Sequence, residues 1–138
     1  MRNKLKVVID TNVFFISVSR KSKTHWIFEK LLNKEFDLYI TNDVLTEYEE
    51  IMTQYLPLPL KDYVINIILL SKNVVKVIPY FNWNLISNDP DDNKFVDCAV
   101  AGNVDYIITN DKHFDILQKT NFPKVNVLTP DQFKTLFE

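Results

Sequence analysis

Five short apolar runs, separated by stretches with helical spacing, constrain this chain more than any other feature. Val7-Val8-Ile9 is β-branched, stops at Asp10, and reads as a buried strand. Leu38-Tyr39-Ile40, Val74 to Ile78, Tyr106-Ile107-Ile108 and Val125 to Leu128 have the same character. Between them, Val44, Leu45, Tyr48, Ile51 and Met52 follow an i, i+3/i+4 pattern with Asn42 as the expected N-cap. Trp26 to Leu31, Val64 to Leu69, Phe95 to Ala101 and Phe114 to Lys119 supply further helical stretches. Thr129-Pro130-Asp131-Gln132 opens a last helix with an N-cap threonine, a proline at the first helical position and a glutamine placed to close a capping box. Apolar strands alternating with helices imply an α/β fold, a parallel sheet covered on both faces. With no repeat, low-complexity tract or linker, residues 1–138 read as one domain.

Composition excludes several classes. One cysteine, Cys98, and two histidines, His25 and His113, rule out a disulfide framework and a zinc site of Cys and His alone. The only glycine, Gly102, excludes Gly-rich phosphate loops. No apolar run approaches the ~20 residues of a membrane span. Met1 to Lys6 lacks the apolar core of a signal peptide, so a cytoplasmic protein is expected. The net charge of −2 argues against a polyanionic partner only while the acids are spread evenly. Setting aside Asp10, Glu47, Asp92, Asp97 and Asp111 leaves a mildly basic remainder, which permits nucleic acid without demanding it.

Ligands of open parallel sheets bind beyond the carboxyl ends of the strands, where strand order reverses. Asp10 ends the first strand, and Asp111 follows the fourth. Glu47 lies in the helix after the second strand, and Asp97 in the helix leading to the fourth. Clustered carboxylates raise one another's pKa, and a hard divalent cation, Mg²⁺ or Mn²⁺, removes that penalty. Such an ion activates water and stabilises a leaving oxygen, which suits phosphodiester hydrolysis.

Four segments in order sharpen this reading: Val8 to Val13, Leu45 to Tyr48, Asp89 to Ala99 and Ile107 to Asp111. Together they resemble the ordered motifs of the PIN domain, most closely its VapC-like subgroup of toxin components of toxin–antitoxin pairs. The resemblance spans about residues 5 to 130 and implies a metal-dependent ribonuclease with Asp10, Glu47, Asp97 and Asp111 as its acidic quartet. It implies a three-layer domain whose five-stranded parallel sheet has the first and fourth strands adjacent, bringing Asp10 near Asp111. An RNA substrate, a cognate antitoxin and a homodimer are implied by the resemblance alone.

Each residue also has a plainer reading. Asp10 can cap a strand or a helical turn, and Asp111 a short helix. Glu47 can belong to a solvated acidic face with Glu49 and Glu50. Those two lie about 200° and about 300° round the helix from it and need not share its pocket. Asp97, in an otherwise apolar run, calls for a metal or a cationic partner. Asp92, about 140° from Asp97 on a helix, is either a ligand at the helix's first turn or a helix-dipole carboxylate. Thr11, Asn12 and Thr109 are expected to orient the acids and cap turns. Arg20, Lys21 and Lys23 form a basic loop that either steers phosphate or is merely solvated. Trp26 and Cys98 read as core, and His113 as a surface residue. The competing function is a non-catalytic PIN-like scaffold binding RNA or protein, against which the intact quartet argues.

Overall fold

The computed structural model describes residues 4–138; Met1, Arg2 and Asn3, part of the leader reading, lie outside the described residues. Five parallel strands form one sheet: β1 (Leu5–Ile9), β2 (Phe36–Ile40), β3 (Val74–Lys76), β4 (Tyr106–Ile108) and β5 (Val127–Leu128). The order is β3-β2-β1-β4-β5, so the chain reverses its direction of growth at β1. Val7, Val8 and Ile9 pair with Tyr106, Ile107 and Ile108, which puts β1 and β4 side by side as expected. All three β1 residues are wholly buried, as the centre of a sheet covered on both faces requires.

The helices are α1 (Thr11–Ser17), α2 (His25–Leu32), α3 (Asn42–Tyr55), α4 (Leu58–Leu70), α5 (Asn93–Gly102) and α6 (Pro130–Thr135). Alternation along β2 shows the two layers they form. Phe36 meets Phe133 of α6 with ring centroids 5.4 Å apart. Tyr39, on the opposite face, meets α5 at Gly102, where an added Cβ would lie 2.4 Å from the ring. The one glycine is there because the ring leaves no room for a side chain.

Several expectations are corrected in detail. The cap of α3 is Thr41, whose hydroxyl accepts from the Val44 amide; Asn42 is the first helical residue. α1 follows β1 after a single residue. The stretch from Phe114 to Lys119 belongs to a 3₁₀ segment, Lys112–Lys119. β3 stops at Lys76, and β5 shrinks to two residues. The Thr129 capping box forms as expected, with both reciprocal bonds present. Among the described residues no helix is long and apolar enough to cross a membrane.

Candidate functional site

The carboxyl edge of β1 and β4 is where the sheet order reverses, and the acids gather there. Asp10 caps α1: Oδ1 accepts the Val13 amide at 2.9 Å and Oδ2 accepts the Thr109 hydroxyl. The Thr109 oxygen in turn accepts the Asp111 amide at 2.9 Å, tying the end of β4 to the end of β1. Burial pushes the Asp10 pKa up against these bonds, and the charges of Asp111 and Glu47 push the same way.

Tyr48 anchors α3. Its hydroxyl donates to the Ile9 carbonyl, and its ring stacks on Phe14 at 4.5 Å. Glu47, the preceding residue, is thereby brought to α1, where the Thr11 hydroxyl donates to Oε2. Lys94 Nζ donates to Oε1 at 2.9 Å. Burial is the largest influence and works against the Lys94 charge, but the Glu47 bond together with the charges of Glu47, Asp91 and Asp43 outweighs it, and the ammonium holds its proton more tightly than usual.

A 3₁₀ turn, Pro90–Asp92, leads into α5 and delivers Asp92 at its N-terminus. Burial first, then the charges of Asp89, Asp111 and Asp10, push its pKa up to about 7, with His113 opposing. The Asp111 side chain caps the segment that follows it, accepting from the His113 amide at 2.8 Å. His113 Nδ1 thereby lies 3.4 Å from Asp111 and 3.5 Å from Asp92.

Asp10, Glu47, Asp92 and Asp111 line one cavity of about 320 Å³, joined by Asn12, Glu50, Asp89 and Asp91. Asp97 does not line it. Its side chain is buried elsewhere on α5, where Oδ1 accepts the Trp83 amide at 2.9 Å. Burial raises the Asp97 pKa, with a smaller push from Asp43. In place of the metal or cationic partner expected for it, this acid has a backbone N–H of the loop after β3. Asp92 occupies the place on the cavity wall expected for Asp97, because the 3₁₀ turn carries it there. Glu50 shares the cavity with Glu47, being only about 60° from it round the helix.

His113, read from sequence as a surface residue, is half-buried against two of the acids; its position two residues after a capping aspartate is the signal that could have found it. Arg20, Lys21 and Lys23 are exposed on the segment ending at Thr24, which lines a neighbouring cavity with Asp10 and Asp111. Trp26 packs on Phe133 of α6 at 5.6 Å. Cys98 is fully buried, and burial followed by the nearby Asp97 charge pushes its thiol up to about 12, so no nucleophile sits there.

The donor set suits a hard cation: carboxylate oxygens predominate, one imidazole stands beside them, and ligand atoms of Asp89, Asp92 and His113 come within 4.8 Å of one another. Burial first, and then the neighbouring acidic charges, raise the pKa values of Asp10 and Asp92, so the ionised grouping is costly without a counter-charge.

Comparison with known proteins bears on the family and the fold. A family model described as PIN domain matches residues 6–113. An uncharacterized protein of Methanocaldococcus jannaschii, MJ1680, is 36% identical, over 98% of this chain and 93% of its own length. Two solved structures share the fold. VapBC2 from Rickettsia felis, bound to a DNA fragment from its promoter, matches with a TM-score of 0.63 at 14% identity, covering 91% of this chain and 98% of the other. The PIN domain endonuclease Utp24 matches with a TM-score of 0.52 at 17% identity, covering 90% and 84%.

Proposed function

Since the chain belongs to the PIN domain family, we propose that it is a divalent-cation-dependent endoribonuclease working as one domain over residues 1–138. The observation that carries this reading is the single cavity in which Asp10, Glu47, Asp92 and Asp111 converge at the point of sheet reversal. We assign the four ligand roles to these acids and leave Asp97 out, since it accepts from Trp83.

Asp10, Glu47, Asp92 and Asp111 would hold Mg²⁺ or Mn²⁺, which would supply acidification of a water and charge neutralisation at the leaving oxygen. The chain's own part is preorganisation. Val13 and Thr109 fix both oxygens of Asp10, so the most buried acid of the four keeps one orientation. Thr11 and Lys94 hold the two oxygens of Glu47 apart in the same way. Burial pushes the Asp92 pKa up to about 7, and a bound cation would favour its carboxylate form. Asn12 is exposed and lines the same cavity as the acids.

RNA as substrate draws its support from the family resemblance and from the mildly basic remainder of the chain. The likeness to the toxin components carries the finer reading. The protein is a cytoplasmic toxin, homodimeric, restrained by an antitoxin segment that enters the acidic groove, with Arg20, Lys21 and Lys23 steering phosphate.

The test is cleavage of a panel of structured and single-stranded RNAs by wild type and Asp10→Asn, with Mg²⁺, Mn²⁺ or EDTA. Cleavage that needs the metal and falls at least ~100-fold in Asp10→Asn is the expected result. Wild type that binds no Mn²⁺ would overturn the reading.

A further inference from the structure

A second cavity, of about 360 Å³, abuts the acidic one and shares the walls Asp10, Asn12 and Asp111 with it. Its other walls have different chemistry. Val13, Ile16 and Pro130 are apolar, while Thr24 and Asn110 are neutral hydrogen-bonding residues. They come from α1, the start of α2, the turn after β4 and the start of α6, so four elements frame it. Its size falls within the ~300–1,000 Å³ usual for small-molecule sites, and an apolar wall with few polar groups is their usual lining.

A phosphodiester seated over the acids leaves a nucleoside on either side. Toward α3 and the 3₁₀ turn, that nucleoside meets Glu50, Asp89 and Asp91. On the other side it meets an aliphatic wall and exposed amides, which suit a flat ring with donors and acceptors at its edge. The basic residues Arg20, Lys21 and Lys23 stand on the segment that ends at Thr24, placing cations where the next phosphate of the strand would follow.

The geometry points to a nucleobase subsite: the cavity of Val13, Ile16, Thr24, Asn110 and Pro130 receives the unpaired base flanking the scissile phosphate. This inference rests on the nuclease reading and adds to it a base preference on one side of the cut. A duplex is disfavoured, because a paired base enters the cavity only at the cost of unpairing and unstacking.

Two rim variants test it on the full chain. Asn110→Ala removes an amide, and Ile16→Trp fills the cavity from a side chain that is 55% exposed, so neither disturbs the core. The four nucleoside 5′-monophosphates are titrated into each protein in EDTA and followed by backbone amide NMR shifts, which also report folding. Separately, single-stranded RNA with randomised positions is cleaved and the cut sites are sequenced.

In wild type one nucleotide is expected to shift Thr24 and Asn110 amides most, and Ile16→Trp to weaken it at least ~10-fold, as the loss of a base buried against the aliphatic wall would. Both variants should still cleave while the base preference beside the cut relaxes. Identical cut-site preferences in all three proteins, or nucleotide shifts that Ile16→Trp leaves unaltered, would overturn the subsite. If wild type cleaves no RNA, the nuclease reading fails by itself, and the nucleotide titration still decides the cavity. A cavity that ignores all four nucleotides yet binds a peptide overturns the proposal in favour of a protein occupant.

Discussion

Replacing Asp92 by asparagine should make the metal-free protein more stable at mildly alkaline pH. The folded-state pKa of Asp92 is about 7, against 3.8 for the free side chain, with burial as the first cause and the Asp89 and Asp111 charges next. Between those two values the folded protein holds a proton that the unfolded chain has already released. The contribution of Asp92 is therefore fully present below the unfolded pKa and is lost as pH rises through the folded one. At about 1.4 kcal/mol per pH unit, the gap sets a ceiling of about 4 kcal/mol. The carboxylate keeps some contact with water, and screening reduces this to about 2 kcal/mol. In a domain of this size that corresponds to about 6–8 °C in Tm.

The assay is urea unfolding of wild type and Asp92→Asn in EDTA from about pH 5 to about pH 8. The wild-type curve should fall across this range and the variant's should stay flatter, so the two diverge as pH rises. Saturating Mn²⁺ should invert the order, since a ligand at one hundred times its Kd adds about 2.7 kcal/mol to the protein that binds it. Parallel curves in EDTA, or a variant less stable than wild type at the alkaline end, would refute the idea that Asp92 is crowded by its neighbours.

Three further outcomes follow from the same geometry. Lys94→Met leaves Glu47 without its 2.9 Å partner. The metal-free protein should lose up to about 1 kcal/mol, while Mn²⁺ binding, measured by calorimetry, tightens about 3–10-fold because a competing cation is gone. Asp97→Ala strands the Trp83 amide and should cost about 1–3 kcal/mol in urea unfolding, with Mn²⁺ affinity unchanged. Gly102→Ala drives a Cβ to within 2.4 Å of the Tyr39 ring. Overpacking there should cost about 1–3 kcal/mol, read as a lowered Tm.

What the residues announced beforehand, and what they did not, divides along physical lines. β1 and β4 were legible because a strand buried on both faces must be continuously apolar, and Val7 to Ile9 and Tyr106 to Ile108 are. The capping box at Thr129 was legible because it is a local, four-residue arrangement. α1 was hidden because it starts one residue after β1; the i to i+3 bond from the Val13 amide to Asp10 was its faint signature. β3 is an edge strand among the described residues and stops at Lys76, and Ile78 beyond it is exposed. For Asp97, the apolar flanks correctly gave burial. They could not give the partner, since the Trp83 amide belongs to a loop whose path no local pattern encodes. Asp92 shows the converse. Helical spacing put it far from Asp97, and whether it joined the other acids hung on a single 3₁₀ turn.

The order β3-β2-β1-β4-β5 has a consequence for how the chain is made. The cavity draws on positions 10, 47, 92 and 111, and β1 acquires its β4 neighbour only from the last third of the sequence. A growing chain that has delivered only β1, β2 and β3 holds Asp10 and Glu47 but has neither the Thr109 hydroxyl nor Asp111 to close the cluster. Closure of the acidic cavity therefore waits on residues that follow β1 by about a hundred positions.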